Sequence, residues 1–324
     1  MQAIVYHQYG PPDVLECQEI PKPVPVDGEV LIRVHAAAVN PYDWHFLRGT
    51  PWPFRLFIGL RRPNFPRLGA DAAGIVEAVG SGIKQLKPGD RVFGVCKGAF
   101  AEYACGKESE LAIIPAGITF EQAASVPIAG VTALQGLRDS GCIKAGQTVL
   151  INGAAGGVGT FAVQIAKALG ATVTGVCSGR NAELVHSLGA DRVIDYAQED
   201  FTRADSNFDM IFDLVGNRPL SAMRRALRAR GTFVGCGGGG PDKPGGELMA
   251  AMLGRAIAAP FASQKLTGVL AKINTADLNV LARMLELGEV KPVLSRTYPL
   301  KETAEAIRHV ESCHATGKVI IAVA

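Results

Sequence analysis

The sequence predicts an α/β protein with one mostly-β domain and one domain built on a doubly wound parallel sheet. The chain has 324 residues, which is enough for roughly two domains of ~150 residues each. Up to about residue 120, short alternating strand patterns are divided by glycine and proline. From about residue 122, apolar runs of strand length alternate with amphipathic runs of helix length, which is typical of a parallel sheet covered by helices.

Three alternating segments predict strands in the first part of the chain. They are residues 29–34, 73–79 and 91–93, and the last follows a turn at Lys87–Asp90. The first seven residues also alternate like a strand and lack the basic start and apolar run of a signal peptide. Folding is therefore expected to begin at the first residues of the chain.

The second part of the chain contains five strand-length runs that are apolar almost throughout, as expected of strands covered on both faces. They are Thr148–Asn152, Thr172–Cys177, Arg192–Ile194, Met210–Leu214 and Thr232–Gly235. A glycine-rich, low-complexity stretch at residues 237–246 predicts a surface loop.

The last segment has a strand pattern at Arg296–Tyr298, a helix pattern from Lys301 to about Val310, and a strand pattern at Val319–Ala322. We expect it to return to the first domain. The predicted domains are therefore residues 1–121 with 290–324, and residues 122–289.

Composition and charge favour small-molecule chemistry. Apolar residues make up 48% of the chain and charged residues 19%, which allows large cores and excludes a disordered chain. Lys and Arg number 33 against 30 acidic residues, and no basic block is present. The chain therefore lacks the strong positive potential that attracts a nucleic-acid phosphate backbone, and no nucleic-acid partner is expected.

The seven cysteines are odd in number and have no metal-knuckle spacing, so we interpret them as reduced thiols of a cytoplasmic protein. The longest apolar candidate for a membrane segment, residues 248–262, is interrupted by Gly254, Arg255 and Pro260. It is also shorter than the ~20 residues needed to span a bilayer. We predict a helix of a water-soluble protein there, and no membrane partner.

A glycine-rich turn joins the strand Thr148–Asn152 to a predicted helix at Thr160–Leu169. Backbone amides at such a helix start can hold a pyrophosphate, and Gly156 lets it approach the chain. Gly159 lets the helix pack on the strand. The first place of the usual glycine triplet holds Ala154, or else Gly153 displaced by one. A second strand at βαβ spacing favours dinucleotide binding over a structural glycine turn.

The end of the strand Thr172–Cys177 predicts which dinucleotide binds. An acidic residue there would hold a free ribose hydroxyl, and none is present. Ser178 and Arg180 follow instead, and a hydroxyl and a guanidinium suit the 2′-phosphate of NADPH. The alternative is that Ser178 caps the next helix and Arg180 is a solvated residue in its first turn.

Further motifs along nearly the whole chain resemble one family. In order, they are residues 38–44, 68–76, 87–92, 98–103, 129–134, the glycine turn, 188–191 with 194–196, and 317–321. The chain is identified by them as a zinc-independent member of the medium-chain dehydrogenase/reductase superfamily, in the quinone oxidoreductase group. The resemblance implies a GroES-like substrate domain, a Rossmann domain, a cleft where NADPH meets substrate, and a homodimer.

Three positions explain why the resemblance is to a zinc-independent member. Zinc alcohol dehydrogenases of the same superfamily hold thiol and imidazole ligands at places that correspond to Asn40, Ala70 and about Ala129. None of these residues can bind zinc. We therefore expect hydride transfer to a quinone or conjugated enone, which is already electrophilic. Alternatives are a zinc-free alcohol dehydrogenase and a non-catalytic NADPH-binding sensor or scaffold.

Two candidate catalytic residues lie in the first motif. Asn40 resembles the family's substrate-side asparagine, whose amide would donate to the acceptor oxygen; the alternative is an Asn that bonds its own backbone before Pro41. Tyr42 would donate a proton, unless it only packs. We expect Asp43 and His45 to be turn or surface groups, since neither has an identifiable partner.

The candidate cofactor contacts combine the glycine turn, the 2′-phosphate pair and positions taken from the resemblance. Thr132 and Val158 match places near the nicotinamide, and Tyr196 matches a residue at the adenosine end. Tyr196 could instead only close a strand. The remaining candidates are Ala155, Gly156, Gly157, Leu214, Gly235 and Lys318.

Overall fold

The computed structural model describes residues 1–203, 207–237, 253–254 and 262–323. The chain folds into two compact units. The first comprises Met1–Val131, Lys272–Gly288 and Pro292–Ala324, and the second comprises Thr132–Ala271 and Glu289–Lys291.

The strands and helices are numbered here in chain order within the described residues. The strands are β1 Gln2–Val5, β2 Glu16–Glu19, β3 Glu29–Val39, β4 Asp71–Val79, β5 Arg91–Val95, β6 Tyr103–Lys107, β7 Leu111–Ile113, β8 Thr148–Asn152, β9 Thr172–Cys177, β10 Arg192–Asp195, β11 Phe208–Asp213, β12 Leu227–Gly235, β13 Lys265–Gly268, β14 Leu294–Pro299 and β15 Lys318–Ala322. The α-helices are α1 Pro41–Arg48, α2 Arg55–Ile58, α3 Phe120–Ala124, α4 Pro127–Gln135, α5 Gly157–Ala168, α6 Ala182–Ser187, α7 Leu220–Ala226, α8 Thr275–Glu286 and α9 Thr303–Glu311.

The first unit is mostly β, as predicted. Its larger sheet has the order β14-β15-β3-β4-β5-β7, and β6 also pairs with β3. The alternating pattern of β3 buries Ile32 and Val34 completely against the core of this unit. The last strand, β15, runs antiparallel to β3 with Ile320 opposite Ala38, so the end of the chain does return to this unit.

The second unit holds a six-stranded sheet of order β10-β9-β8-β11-β12-β13, and all of its strand pairs are parallel. Counted from β8, this is the 3-2-1-4-5-6 order of a doubly wound dinucleotide fold, which confirms the predicted parallel sheet. Helix α5 begins at Gly157, three residues before the predicted start, because the last glycines of the turn already have helical geometry. The short strand β13 carries no apolar run and is not predicted from the sequence.

Two predicted segments lie largely outside the described residues. They are the loop at 237–246, of which only Gly237 is described, and the helix at 248–262, of which only residues 253, 254 and 262 are described. Among the helices that are described, none has the length and apolar character needed to cross a bilayer.

Candidate active site

The turn after β8 is made by Gly153, whose φ of +89° lies in the left-handed region that favours glycine. A Cβ on Gly153 would also come within 2.8 Å of Val215 Cγ2. The next residue, Ala154, is fully buried, and its amide donates to Val176 O at 3.0 Å. Gly153, rather than Ala154, is therefore the turn glycine.

Two later glycines of this turn serve different purposes. A Cβ on Gly159 would lie 2.0 Å from Gly153 O, so helix α5 can pack this closely on the turn only with glycine there. A Cβ on Gly156 would meet only Gly153 O, at an ordinary 3.4 Å, and its φ of −78° suits any residue. The chain itself has no need of glycine at 156, so the open space there fits a ligand.

The N-terminus of α5 meets the requirements of a pyrophosphate site. Gly156 is the N-cap and has no side chain to satisfy the first amides of the helix, which lack partners within the helix. Amides in this arrangement attract anions. The candidates Gly157 and Val158 are half-buried in the first turn of α5, and Ala155 is buried just before it. A dinucleotide diphosphate therefore fits the residues present.

The carboxyl ends of β8, β11 and β12 bring further candidates to the same edge of the sheet. Leu214 directly follows β11, and its amide donates to Asn152 O at 3.1 Å. Gly235 ends β12 beside Asp213. Strand order reverses between β8 and β11, and doubly wound sheets bind ligands at such a switch point. Thr132 is buried on α4 in the same unit.

Asp213 organises this edge and is absent from the sequence-based candidates. Its Oδ1 accepts hydrogen bonds from Asn152 Nδ2 at 2.9 Å and from the amides of Val215 and Gly216 at 3.1 and 3.0 Å. The side chain is 4% exposed. An aspartate at a strand end with a glycine three residues later, here Gly216, is the local signal of such a turn. Asp213 therefore fixes the backbone that follows Leu214.

Ser178, Arg180 and Tyr196 lie together at the carboxyl ends of β9 and β10. Ser178 Oγ accepts a hydrogen bond from Asn181 Nδ2 at 3.2 Å. The Tyr196 amide donates to Cys177 O at 3.2 Å, and its side chain is 48% exposed. Arg180 is exposed and has no ion-pair or hydrogen-bond partner within the described ranges. Its guanidinium is thus available to an anion.

An acidic side chain does reach this corner, although from the neighbouring strand. Asp195 ends β10, and a Cβ on Gly179 would lie 2.6 Å from its Oδ2. Its two oxygens accept hydrogen bonds from the Ala197 amide at 3.0 Å and from Gln198 Nε2 at 3.2 Å. The sequence at the end of β9 does not reveal this carboxylate. Asp195 reaches this corner through the pairing register of β10 with β9, which the sequence does not give.

A buried polar cluster in the first unit consists of Asn40, Asp43, Asp71 and Lys318, each at most 3% exposed. Lys318 Nζ donates to Asn40 Oδ1 at 2.6 Å and lies 3.4 Å from Asp71 Oδ2. Asn40 Nδ2 donates to Asp71 Oδ2 at 2.9 Å and to Ala38 O at 3.2 Å. Both amide hydrogens of Asn40 are therefore used inside the protein.

Asp43 is buried, so the expectation that it is a turn or surface group is wrong. As the third residue of α1, it accepts the Asn40 amide on Oδ2 at 2.8 Å and the Gly69 amide on Oδ1 at 3.1 Å. His45 is half-buried and stacks on Trp44, with its Nδ1 3.0 Å from Thr50 O. The Gly69 amide lies 26 residues along the chain from Asp43, so the sequence does not reveal this partner, whereas the other contacts of Asp43 and His45 named here are local.

Burial dominates the electrostatics of the cluster. Loss of water raises the pKa of Asp43 to about 7 and also raises the pKa of Asp71, although Lys318 and the hydrogen bonds to Asn40 and Ile128 oppose the shift of Asp71. Burial likewise lowers the pKa of Lys318, while Asp71 and Asp43 oppose that shift. The pKa values of the two carboxyl groups and of the Lys318 amine therefore depend on one another's charge.

Tyr42 lies on α1 next to the cluster and is 43% exposed. Its ring packs on Phe46, with the ring centres 4.1 Å apart. Partial burial, and then the neighbouring Asp43, raises the pKa of Tyr42 to about 12. The phenol therefore keeps its proton at neutral pH, and its hydroxyl has no hydrogen-bond partner among the residues that the structure describes.

Two family models match parts of this chain. The alcohol dehydrogenase GroES-like domain matches residues 26–116, and the zinc-binding dehydrogenase family matches residues 188–321. Although the second name mentions zinc, Ala70 and Ala129 carry no donor atom, and Asn40 is committed to the buried polar cluster. No group of three or more His, Cys, Asp or Glu side chains suited to a metal occurs in the described part of the chain.

Relatives that match nearly the whole chain include oxidoreductases of quinones and of alkenals and alkenones. The quinone oxidoreductase of Sus scrofa is 33% identical over 337 residues, which cover 99% of this chain and 97% of that protein. The chloroplastic NADPH-dependent alkenal/one oxidoreductase of Arabidopsis thaliana is 35% identical over 343 residues, which cover 99% of this chain and 79% of that protein.

Solved structures that are similar to this chain include quinone oxidoreductases as well. The quinone oxidoreductase of Coxiella burnetii has a TM-score of 0.87 and 32% identity, with 100% of this chain and 99% of that chain covered. The Escherichia coli quinone oxidoreductase complexed with NADPH has a TM-score of 0.84 and 29% identity, with both chains covered completely. The chain described here therefore belongs to the medium-chain dehydrogenase/reductase superfamily, in its quinone oxidoreductase group.

Proposed function

We propose that this protein is a zinc-independent, NADPH-dependent oxidoreductase that reduces a quinone or an α,β-unsaturated carbonyl compound. The observation that carries the proposal is Gly156, which leaves room for a ligand above the uncapped start of α5. Bound NADPH supplies the hydride. The α5 amides would hold its diphosphate, and Ser178 and Arg180 its 2′-phosphate.

The residues of the first unit would prepare the acceptor. Tyr42 is our candidate donor, since its free, protonated hydroxyl can polarise an acceptor oxygen and then give up a proton. Asn40 has both amide hydrogens engaged, so we assign it the task of holding the start of α1, and with it Tyr42, in place. Asn40, Ala70 and Ala129 provide no thiolate or imidazole, which supports a reaction without zinc.

A panel of acceptors tests the proposed reaction. NADPH consumption would be followed with benzoquinones, phenanthrenequinone and short enones, and the products analysed for a reduced ring or a reduced double bond. We expect turnover with at least one acceptor class. Tight NADPH binding without turnover on the whole panel would show a sensor or scaffold instead, and oxidation of simple alcohols alone would show an alcohol dehydrogenase.

Arg180→Asp is expected to reverse the nucleotide preference. Loss of a charge-assisted bond to the 2′-phosphate weakens NADPH binding by roughly 10- to 100-fold, while the new carboxylate accepts from the free ribose of NADH. Dissociation constants for both nucleotides measure the effect. Arg230→Asp is the matched control, because Arg230 is exposed in β12, before the carboxyl end of the strand. An unchanged preference in Arg180→Asp would remove the assignment.

Tyr42→Phe is expected to lower kcat by roughly 100-fold if the hydroxyl donates the proton. NADPH affinity and thermal stability should stay close to those of the wild type, because the ring and its packing on Phe46 are kept. Tyr103→Phe, which removes a hydroxyl from β6, is the control. Wild-type turnover in Tyr42→Phe would rule out this role.

We further propose, from the family resemblance, that the protein forms a homodimer, which light scattering after gel filtration would check.

All seven cysteines are free thiols, in keeping with a cytoplasmic location.

A further inference from the structure

One short segment of the first unit exposes an unusual set of large apolar side chains. In the segment 52–62, Trp52, Leu56, Phe57 and Leu60 are 62%, 65%, 80% and 55% exposed. Exposed apolar residues are ordinary when scattered, but these four lie within nine residues of each other.

The inner side of the 52–62 segment is fixed to the protein. Tyr9 Oη donates to Gly59 O at 2.6 Å, and Phe54 packs edge-on against Phe46. Arg55 donates to the carbonyls of Gly49 and Arg48, each at 3.0 Å, and its guanidinium lies 4.4 Å from the centre of the Tyr9 ring. The outward side chains are therefore presented by an anchored backbone.

The turn after α2 places two cations beside these side chains. Gly59 has φ of +119°, and a Cβ there would lie 2.0 Å from Arg62 O, so the chain folds tightly back at this point. Arg61 and Arg62 are both exposed and have no ion-pair partner in the described residues. Residues 44–70 contain five arginines and no acidic residue.

We propose that the 52–62 segment docks on an anionic lipid surface. Exposed Trp, Leu and Phe side chains next to arginines match the boundary between headgroups and acyl chains, where the apolar groups enter and the cations meet lipid phosphates. The segment lies on the bilayer and does not cross it. From the sequence, no membrane partner is predicted, because no apolar segment is long enough to span a bilayer. Docking of the 52–62 segment on lipid differs from that expectation. It goes beyond the proposed function and does not depend on it.

Sedimentation with lipid vesicles tests the proposal. The protein is expected to bind vesicles of phosphatidylcholine with about one-third phosphatidylglycerol, to bind pure phosphatidylcholine far less, and to be released as salt rises to about 0.5 M. Trp52 provides a second readout. The other tryptophan, Trp44, is only 4% exposed, so a blue shift of emission on binding would report Trp52 entering lipid, and Trp52→Phe should abolish it.

Matched variants identify the surface. Phe57→Ser should lower vesicle partitioning at least tenfold, and Arg61→Ala combined with Arg62→Ala roughly twentyfold. Leu270→Ser and Arg230→Ala, which alter an exposed leucine and an exposed arginine of the second unit, should leave it unchanged. Melting temperature and NADPH affinity of each variant confirm that the protein is intact.

Failure to bind anionic vesicles at low salt would overturn the proposal, and the exposed segment would then be open to another partner, such as an acidic protein surface. Equal losses in Phe57→Ser and Leu270→Ser would also overturn it, because binding would then not depend on this segment.

Discussion

Lys318→Met should lower the free energy of unfolding by about 3–5 kcal/mol, because it leaves the buried carboxylates of Asp71 and Asp43 without their cation. Lys318 is 3% exposed and contacts both Asn40 and Asp71, so its ammonium group is the cation that compensates these buried carboxylates. Urea unfolding of the wild type and the variant measures the difference.

The sign of the pH dependence gives a second check. Burial raises the folded-state pKa of Asp71, so this group contributes stability below its unfolded pKa and loses it as pH rises through the folded pKa. Removing Lys318 raises that pKa further. The deficit of Lys318→Met should therefore be smaller at about pH 5 than at about pH 8.

A second substitution separates charge from packing. Adding Asp71→Asn to Lys318→Met removes the uncompensated carboxylate and should recover part of the lost stability. If Lys318→Met alone changes stability by less than about 1 kcal/mol, the lysine does not stabilise the cluster.

Gly159→Ala is expected to destabilise the second unit by about 3 kcal/mol and to weaken NADPH binding by roughly a hundredfold. The new Cβ would lie 2.0 Å from Gly153 O, so either the helix or the turn must move. Thermal unfolding and NADPH titration of the same preparation measure both effects.

Gly156→Ala is the matched control within the same turn. Its Cβ meets only an ordinary contact, so stability should change by about 1 kcal/mol or less, while NADPH binding should weaken roughly tenfold. Loss of stability without loss of binding would mean that the open space at Gly156 is not a phosphate site.

Local patterns predicted the sheet of the second unit well. Strands β8 and β9 have the predicted bounds, because apolar runs between glycine turns are strong short-range signals. Whether Gly153 or Ala154 holds the first place of the glycine triplet depended on the φ angle of Gly153, which the sequence alone does not give. The structure provides that angle.

The buried polar cluster shows where local patterns stop. Asn40 and Lys318 are 278 residues apart, and they meet only because β15 pairs with β3. No periodicity links such positions. The same limit explains why Asp43 was expected to be a turn or surface group and why the sequence did not indicate that the Asp195 carboxylate lies beside Gly179.

Titration of the wild-type protein with NADPH and with NADH, followed by quenching of its intrinsic fluorescence, tests the proposed cofactor site most directly. We expect saturable binding of both, with NADPH at least tenfold tighter, since only its 2′-phosphate can engage Ser178 and Arg180. Equal affinities, tighter binding of NADH, or no binding of either nucleotide would contradict the assignment.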